Sequence, residues 1–141
     1  MKKIVSLFLL TCCAAFMTGC ASGPKYAAAG IPPLAADHGR IFFYRATAMG
    51  AGVQPAVRLN GEKIGNAVPK GFFFADRASG SYQIETTTEV KRSLSLTLDQ
   101  GQTRFVRLNM GIGFFVGHVW PELVENQVGE KEIQKCKHTA K

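Results

Sequence analysis

The side chain of this sequence best placed to do chemistry is the thiol of Cys20. A thiolate is the strongest nucleophile among the ordinary side chains and forms thioethers. Cys20 closes the run Met17-Thr18-Gly19-Cys20, whose small residues leave the preceding peptide bond open to a peptidase. Upstream, Lys2 and Lys3 form a basic head, and Ile4 to Met17 form an apolar run broken only by Ser6 and Thr11. A basic head, an apolar run and a small-residue cleavage site make a secretory signal peptide. The run is shorter than the ~20 residues that a membrane-spanning helix needs.

The ending Met17-Thr18-Gly19-Cys20 resembles the bacterial lipobox, with Met17 where a leucine is usual. The resemblance implies cleavage before Cys20, acylation of its thiol and acylation of the new amino group. Ala21, rather than an aspartate, follows Cys20; by analogy with enterobacterial lipoprotein sorting, the resemblance implies the outer membrane, with the domain facing the periplasm. One myristoyl chain binds a bilayer only reversibly, at about 0.8 kcal/mol per buried methylene; several chains on one cysteine hold a protein for its lifetime. Of the four cysteines, Cys12 and Cys13 leave with the signal peptide. Cys136 then has no partner if Cys20 carries lipid. Without acylation, an oxidising periplasm would allow a Cys20–Cys136 bridge.

The other candidates for chemistry are sparse. His38 and His138 stand near the ends of the folded region, where solvation is expected. His118, two residues before Trp120, has the type of a ligand or a general base, although a structural histidine is the expected reading. An enzyme centred on His118 would need a cleft holding it with a carboxylate. Glycosidases need two facing carboxylates; Asp76, Glu85, Glu89 and Asp99 are the candidates, and their positions near strand ends and turns read as ordinary surface. No G-x-S-x-G elbow is present. Gly111-Ile-Gly-Phe-Phe-Val-Gly117 has one residue too many for a dinucleotide-binding loop. The expectation is a protein that is not an enzyme and uses no cofactor and no metal.

Charge and aromatics point to contact rather than catalysis. Cleavage removes two of the 17 Lys and Arg, leaving 15 against 10 acidic residues. Modest basic charge suits an anionic envelope polymer or lipid, and nucleic acid is not expected in this compartment. Most of the basic residues, from Arg40 and Arg45 to Arg104 and Arg107, are scattered as solvent-facing strand positions would be; Lys131, Lys135 and Lys137 cluster. Consecutive aromatics such as Phe72-Phe73-Phe74 cannot share one face of a strand. Some therefore face outward and need either a cover, from the tether or the C-terminal segment, or a partner. The residues expected to touch a partner are Phe72, Phe74, Phe114, Phe115 and Trp120, with Arg104 and Arg107.

The elements that must position these residues are short strands. Residues 20–38 are rich in Ala, Gly and Pro and read as a flexible tether, with a coil span of ~20–25 Å. From Gly39 onward, strands are expected over 40–45, 56–59, 62–65, 71–76, 81–86, 93–98, 103–110 and 119–124. Asn60-Gly61 is a hairpin signal. Leu94, Leu96 and Leu98 alternate with polar residues, as a half-buried strand does, and Tyr82, Ile84 and Thr86 are expected to face the core. Pro121 makes the last strand an edge strand or an interrupted one. A short helix is expected between Glu125 and Lys137, weakened by Gly129. The pattern predicts one all-β domain over 39–137, a single antiparallel sandwich of about seven or eight strands with an immunoglobulin-like or transthyretin-like architecture.

Several segments carry a resemblance when taken in order: Gly39-Arg-Ile-Phe-Phe-Tyr-Arg45, Arg58-Leu-Asn-Gly-Glu-Lys-Ile-Gly65, Gly71-Phe-Phe73, Gly80-Ser-Tyr82, Leu96-Thr-Leu-Asp-Gln-Gly-Gln-Thr103 and Gly129-Glu-Lys-Glu-Ile-Gln-Lys-Cys136. Together they resemble the bacterial exported family known as domain of unknown function 2846. The hairpin followed by Gly80-Ser-Tyr82 is also similar to PEGA-type sandwich modules, with Ser79 where a proline often stands. The resemblance implies a fold and a location and brings no catalytic residues. The functional expectation is a lipid-anchored envelope lipoprotein whose sandwich binds an envelope protein or an anionic polymer, or has a structural role. The alternative is an inhibitor or accessory factor of a secreted hydrolase, presenting Met49 to Gln54 or Gly111 to Gly117.

Overall fold

The structure is a computed structural model and describes residues 19–115 and 117–139. Apart from Gly19, the expected signal peptide lies outside the described residues. The chain forms β1 (His38–Tyr44), β2 (Ala56–Leu59), β3 (Glu62–Asn66), β4 (Gly71–Ala78), β5 (Gly80–Thr87), β6 (Lys91–Leu98), β7 (Thr103–Gly111), β8 (His118–Val124), helix α1 (Asn126–Ile133) and a short β9 (Lys137–His138). All eight expected strands are present. The ninth has only two residues, too few for any periodicity to reveal.

These strands make two sheets, ordered β8-β7-β1-β4-β9 and β3-β2-β5-β6, so the fold is an all-β sandwich. Pairing is antiparallel except for β1 with β7 and β4 with β9, which run parallel. Asn60 and Gly61 carry φ of 49° and 84° at the β2–β3 turn, the left-handed pair that a type I′ hairpin requires. Proline cannot donate to a ladder, and β8, which contains Pro121, is indeed an edge strand. Between the sheets lies a core that includes Ile41, Phe43, Val57, Leu59, Phe73, Ile84, Leu96, Leu98, Val106, Leu108 and Val119. Thr86 is buried with Ile84, while Tyr82 packs at the margin.

The five-stranded sheet has a second apolar face. Successive strand residues point to opposite sides, so Ile41 and Phe43 enter the inter-sheet core while Phe42 and Tyr44 point away from it. Phe72 and Phe105 join them in a second cluster with Ile133 and Cys136. Tyr26 lies edge-on to Phe42 and Phe72, with ring centroids 5.6 and 5.3 Å away, and Phe42 stacks on Phe105 at 5.2 Å.

This cover corrects the expected flexible tether. Residues 21–32 are docked on the outer face. The Ala21 N–H donates to the Pro69 carbonyl (3.0 Å) and the Tyr26 N–H to that of Cys136 (3.2 Å). The His138 N–H donates back to the Pro24 carbonyl at 2.7 Å, and the Arg40 guanidinium reaches the Pro32 carbonyl at 2.9 Å. Tyr26, Ala29 and Ile31 have a bare aromatic surface to bury against, and that burial outweighs the coil entropy suggested by composition.

Helix α1 covers the rest of this face. A Cβ on Gly129 would stand 2.3 Å from Cγ of Phe105, so the glycine lets the helix sit directly on the ring. Helix propensity alone predicts that Gly129→Ala stabilises by ~1 kcal/mol. The packing predicts the opposite, a loss of about 1–3 kcal/mol from overpacking, measured by urea unfolding.

Candidate functional site

One end of the sandwich gathers most of the exposed apolar side chains and also holds Cys20. At this Cys20 end, β1 and β7 finish, β4 and β6 begin, and the connecting loops 45–55, 67–70 and 88–90 come together with loop residues 112–115 and 117. Arg45, expected among the solvent-facing charges, is fully buried. Its Nη1 donates to the carbonyls of Val53 (2.6 Å) and Ala67 (2.8 Å), and its Nη2 to those of Met49 (2.5 Å) and Gly50 (2.9 Å). Burial pulls its pKa below the ordinary arginine value, and carbonyl dipoles stand where a carboxylate would. Nothing in the local sequence signals this role.

Cys20 is exposed, yet Ala21 next to it is buried and hydrogen-bonded to Pro69. The Gly19 carbonyl accepts from Nε2 of Gln54 at 2.9 Å, in the loop that Arg45 organises. Across the same end, Met49, Val90, Ile112, Phe114 and Phe115 are 51, 47, 92, 90 and 88% exposed. The Phe114 and Phe115 rings meet edge to face at 4.9 Å. Met110 packs beneath, so close to Gly50 and Gly117 that a Cβ on either would overlap its methyl group.

His118 does meet a carboxylate: its Nε2 is 3.6 Å from Glu89. That carboxylate also accepts the Phe115 N–H at 2.7 Å, which makes Glu89 the post that holds the aromatic loop. The other sequence carboxylates are dispersed. Asp76 forms a two-point pair with Arg40 (2.6 and 2.7 Å), Glu85 pairs with Lys91 at 2.5 Å, and Asp99 sits in the β6–β7 turn.

The seven expected contact residues do not form one patch. Phe72 is fully buried beneath Tyr26 and is withdrawn as a surface residue. Phe74 is half-buried and, with Lys63, Ile64, Phe73 and His138, lines a recess of about 850 Å³ between β3 and the β4–β9 edge. Trp120 lies over Gly111 on the edge strand, and Arg104 is partly buried. Arg107 is engaged internally. Its Nη1 donates to both Glu132 oxygens (2.9 and 3.1 Å) and its Nη2 to Glu122 (2.9 Å). Asn109 also donates to Glu122 (2.6 Å), and the Tyr44 hydroxyl donates to Glu132 (2.6 Å). This network ties α1 to β7 and β8. Phe114 and Phe115 are the most exposed of the expected aromatics, and Trp120 on β8 is 38% exposed.

Cys136 is buried in the outer cluster, and its Sγ faces the Arg45 carbonyl at 3.8 Å. Burial pushes its thiol up to about 11, so it is an inert packing group; both it and Cys20 are free thiols here.

Two outcomes follow from these environments. Native protein at pH 8 should leave Cys136 unlabelled by iodoacetamide, and denaturant should expose one additional reactive thiol, counted by mass spectrometry. The hydrogen bond from Asn109 and the contacts with Arg107 hold the Glu122 carboxyl below its ordinary pKa. A depressed folded-state pKa gives stability that is present above the unfolded value and lost as pH falls through the folded one. Unfolding titrations at and below pH ~4.5 should therefore show a steeper acid loss for the wild type than for Glu122→Gln.

Among the described residues no helix is long and apolar enough to cross a membrane, and no three His, Cys, Asp or Glu side chains come together as metal ligands. No curated protein and no solved structure matches the chain. The family model described as protein of unknown function (DUF2846) matches residues 35–118, from just before β1 to the first residue of β8. That span covers β1 to β7 and more than half of the chain, which therefore belongs to the DUF2846 family.

Proposed function

We propose that this protein is a lipid-anchored lipoprotein of the bacterial cell envelope, and that its sandwich is a non-enzymatic binding or structural module. The observation that carries the reading is the run Lys2-Lys3, apolar stretch, Met17-Thr18-Gly19-Cys20. The exposure of the Cys20 thiol supports it, since an acylating enzyme must reach the sulfur. Cleavage of the Gly19–Cys20 bond would release the Gln54 contact made by the Gly19 carbonyl. The Ala21 and Tyr26 hydrogen bonds lie beyond the cut and would persist. Ala21 after the cysteine favours the outer membrane, with the domain on the periplasmic side.

For the module itself, the recess beside Phe74 offers an apolar floor with Lys63 and His138 at its rim. That chemistry suits an envelope protein or an anionic polymer. The alternative of a hydrolase inhibitor presenting Gly111 to Gly117 is less favoured, because a soluble hydrolase would have to approach at the end where the anchor emerges.

The test is fractionation with mass measurement. Wild-type protein expressed in a Gram-negative host should sediment with outer membranes and carry acyl groups on Cys20. Cys20→Ala should appear in the soluble periplasmic fraction or be retained with its signal uncut. Wild-type protein recovered soluble, with an unmodified Cys20, would overturn the reading.

A further inference from the structure

We propose that the loop tip Ile112, Phe114 and Phe115, flanked by Met49 and Val90, is a second membrane contact that seats the domain end-on on an anionic phospholipid surface. The proposal rests on the lipoprotein reading above and adds an orientation to it.

Placement carries the inference. Ala21 is buried and hydrogen-bonded to Pro69, so only one peptide step, ~3.8 Å between Cα atoms, separates the acylated residue from a fixed point of the fold. A tether of that length leaves the domain no room to stand away from the bilayer. The end carrying Cys20 must face the lipid, and the aromatic loop is on that end. Before cleavage the Gly19 carbonyl accepts from Gln54, in the loop that carries Met49, which places that loop beside Cys20. Met49 in turn borders Ile112 and Phe115 around a shared depression.

The chemistry of this end fits an interface between hydrocarbon and headgroups. Phe114 and Phe115 are almost fully exposed, an exposure that a soluble surface rarely concentrates in one loop. Aromatic and aliphatic side chains on such a projection enter the headgroup boundary. The same end carries cations: Lys70 in the β3–β4 turn and exposed Lys135 and Lys137 beside the start of β4, toward the β9 edge of the sheet, and exposed Arg92 at the start of β6. Anionic lipids attract such residues. The acidic Glu89, exposed at this end, is engaged by His118 and by the Phe115 N–H. One lipid signal and one protein signal then act together, the combination that gives stable and oriented anchoring.

The experiment uses the mature acylated protein purified from its membrane and reconstituted into vesicles of phosphatidylethanolamine and phosphatidylglycerol. A single indole is placed by Phe114→Trp in a Trp120→Phe background, and brominated acyl chains report its depth. The expected result is a blue-shifted indole quenched by the brominated lipid and shielded from iodide. In the unacylated Cys20→Ser chain, vesicle binding should be weaker yet measurable, and Phe114→Ser with Phe115→Ser should lower it by roughly tenfold or more. Circular dichroism of the double variant controls for folding, which substitution of such exposed residues should leave intact.

An acylated, vesicle-bound protein whose indole stays in water would overturn the proposal while leaving the anchor reading intact. Binding of the Cys20→Ser chain that is insensitive to the double substitution would also count against it. If mass measurement shows no acyl group on Cys20 but the indole still inserts, the anchor reading fails and the membrane contact stands. Shielding of position 114 by a crosslinked protein in intact envelopes, and not by lipid, would replace the bilayer with a protein partner and so refute the proposal.

Discussion

The outer face of the five-stranded sheet is the constraint on which the rest of this structure depends. A strand reading Ile41-Phe42-Phe43-Tyr44 is apolar on both sides, and only one side can enter a two-sheet core. At roughly 25 cal/mol per Å², leaving Phe42, Tyr44, Phe72 and Phe105 in water would cost several kcal/mol. The fold resolves this by adding a third layer from its two ends. Residues 21–32 cover one part, and α1 with Ile133 and Cys136 covers the other. The two ends also secure each other, through the Tyr26–Cys136 and His138–Pro24 backbone hydrogen bonds.

That covering layer joins folding to location. Because the N-terminal segment is used as packing, the residue that precedes it is held at one end of the sandwich. Arg45 reinforces the same end from inside. Its guanidinium gathers carbonyls from two different loops, and it stands immediately after the aromatic strand that demanded the cover. Removing a buried charge partner of this kind is costly, since several carbonyls lose their donors together. The aromatic loop beyond β7 is then positioned by Met110 beneath it and by Glu89 on its backbone. Cys20, Arg45 and Phe114, far apart in sequence, meet at one end for separate local reasons.

Much of the architecture was legible in the residues. Period-two alternation found β6 through its leucines, Asn60-Gly61 located the first hairpin, and Pro121 marked β8 as an edge. The aromatic excess implied either a cover or a partner for the outer face, and a cover is what the fold supplies. What the sequence could not show was how. Residues 20–38 have the composition of a coil because their cover is a 3-10 turn and irregular chain, which leave no period to read. Gly129 looked like a helix weakness because its neighbour Phe105 is 24 positions away. Arg45 and Arg107 looked like ordinary surface cations because burial and pairing are long-range facts. Within the candidate site, Phe114 and Phe115, named from the sequence as contact residues, are exposed. Phe72, in the neighbouring aromatic triplet, was not separable from Phe74 without knowing which face the N-terminal segment would occupy.

The claim that ties the account together is that the segment following Cys20 is structured, and the most direct measurement is amide hydrogen exchange on the membrane-bound mature protein. The account predicts slow exchange at Ala21, Tyr26 and His138, whose N–H groups donate to Pro69, Cys136 and Pro24, with protection comparable to the central strands. Exchange at Ala21 and Tyr26 as fast as in an unfolded chain would contradict it. The lipid would then lead into a free tether, and nothing would hold the Cys20 end against the membrane.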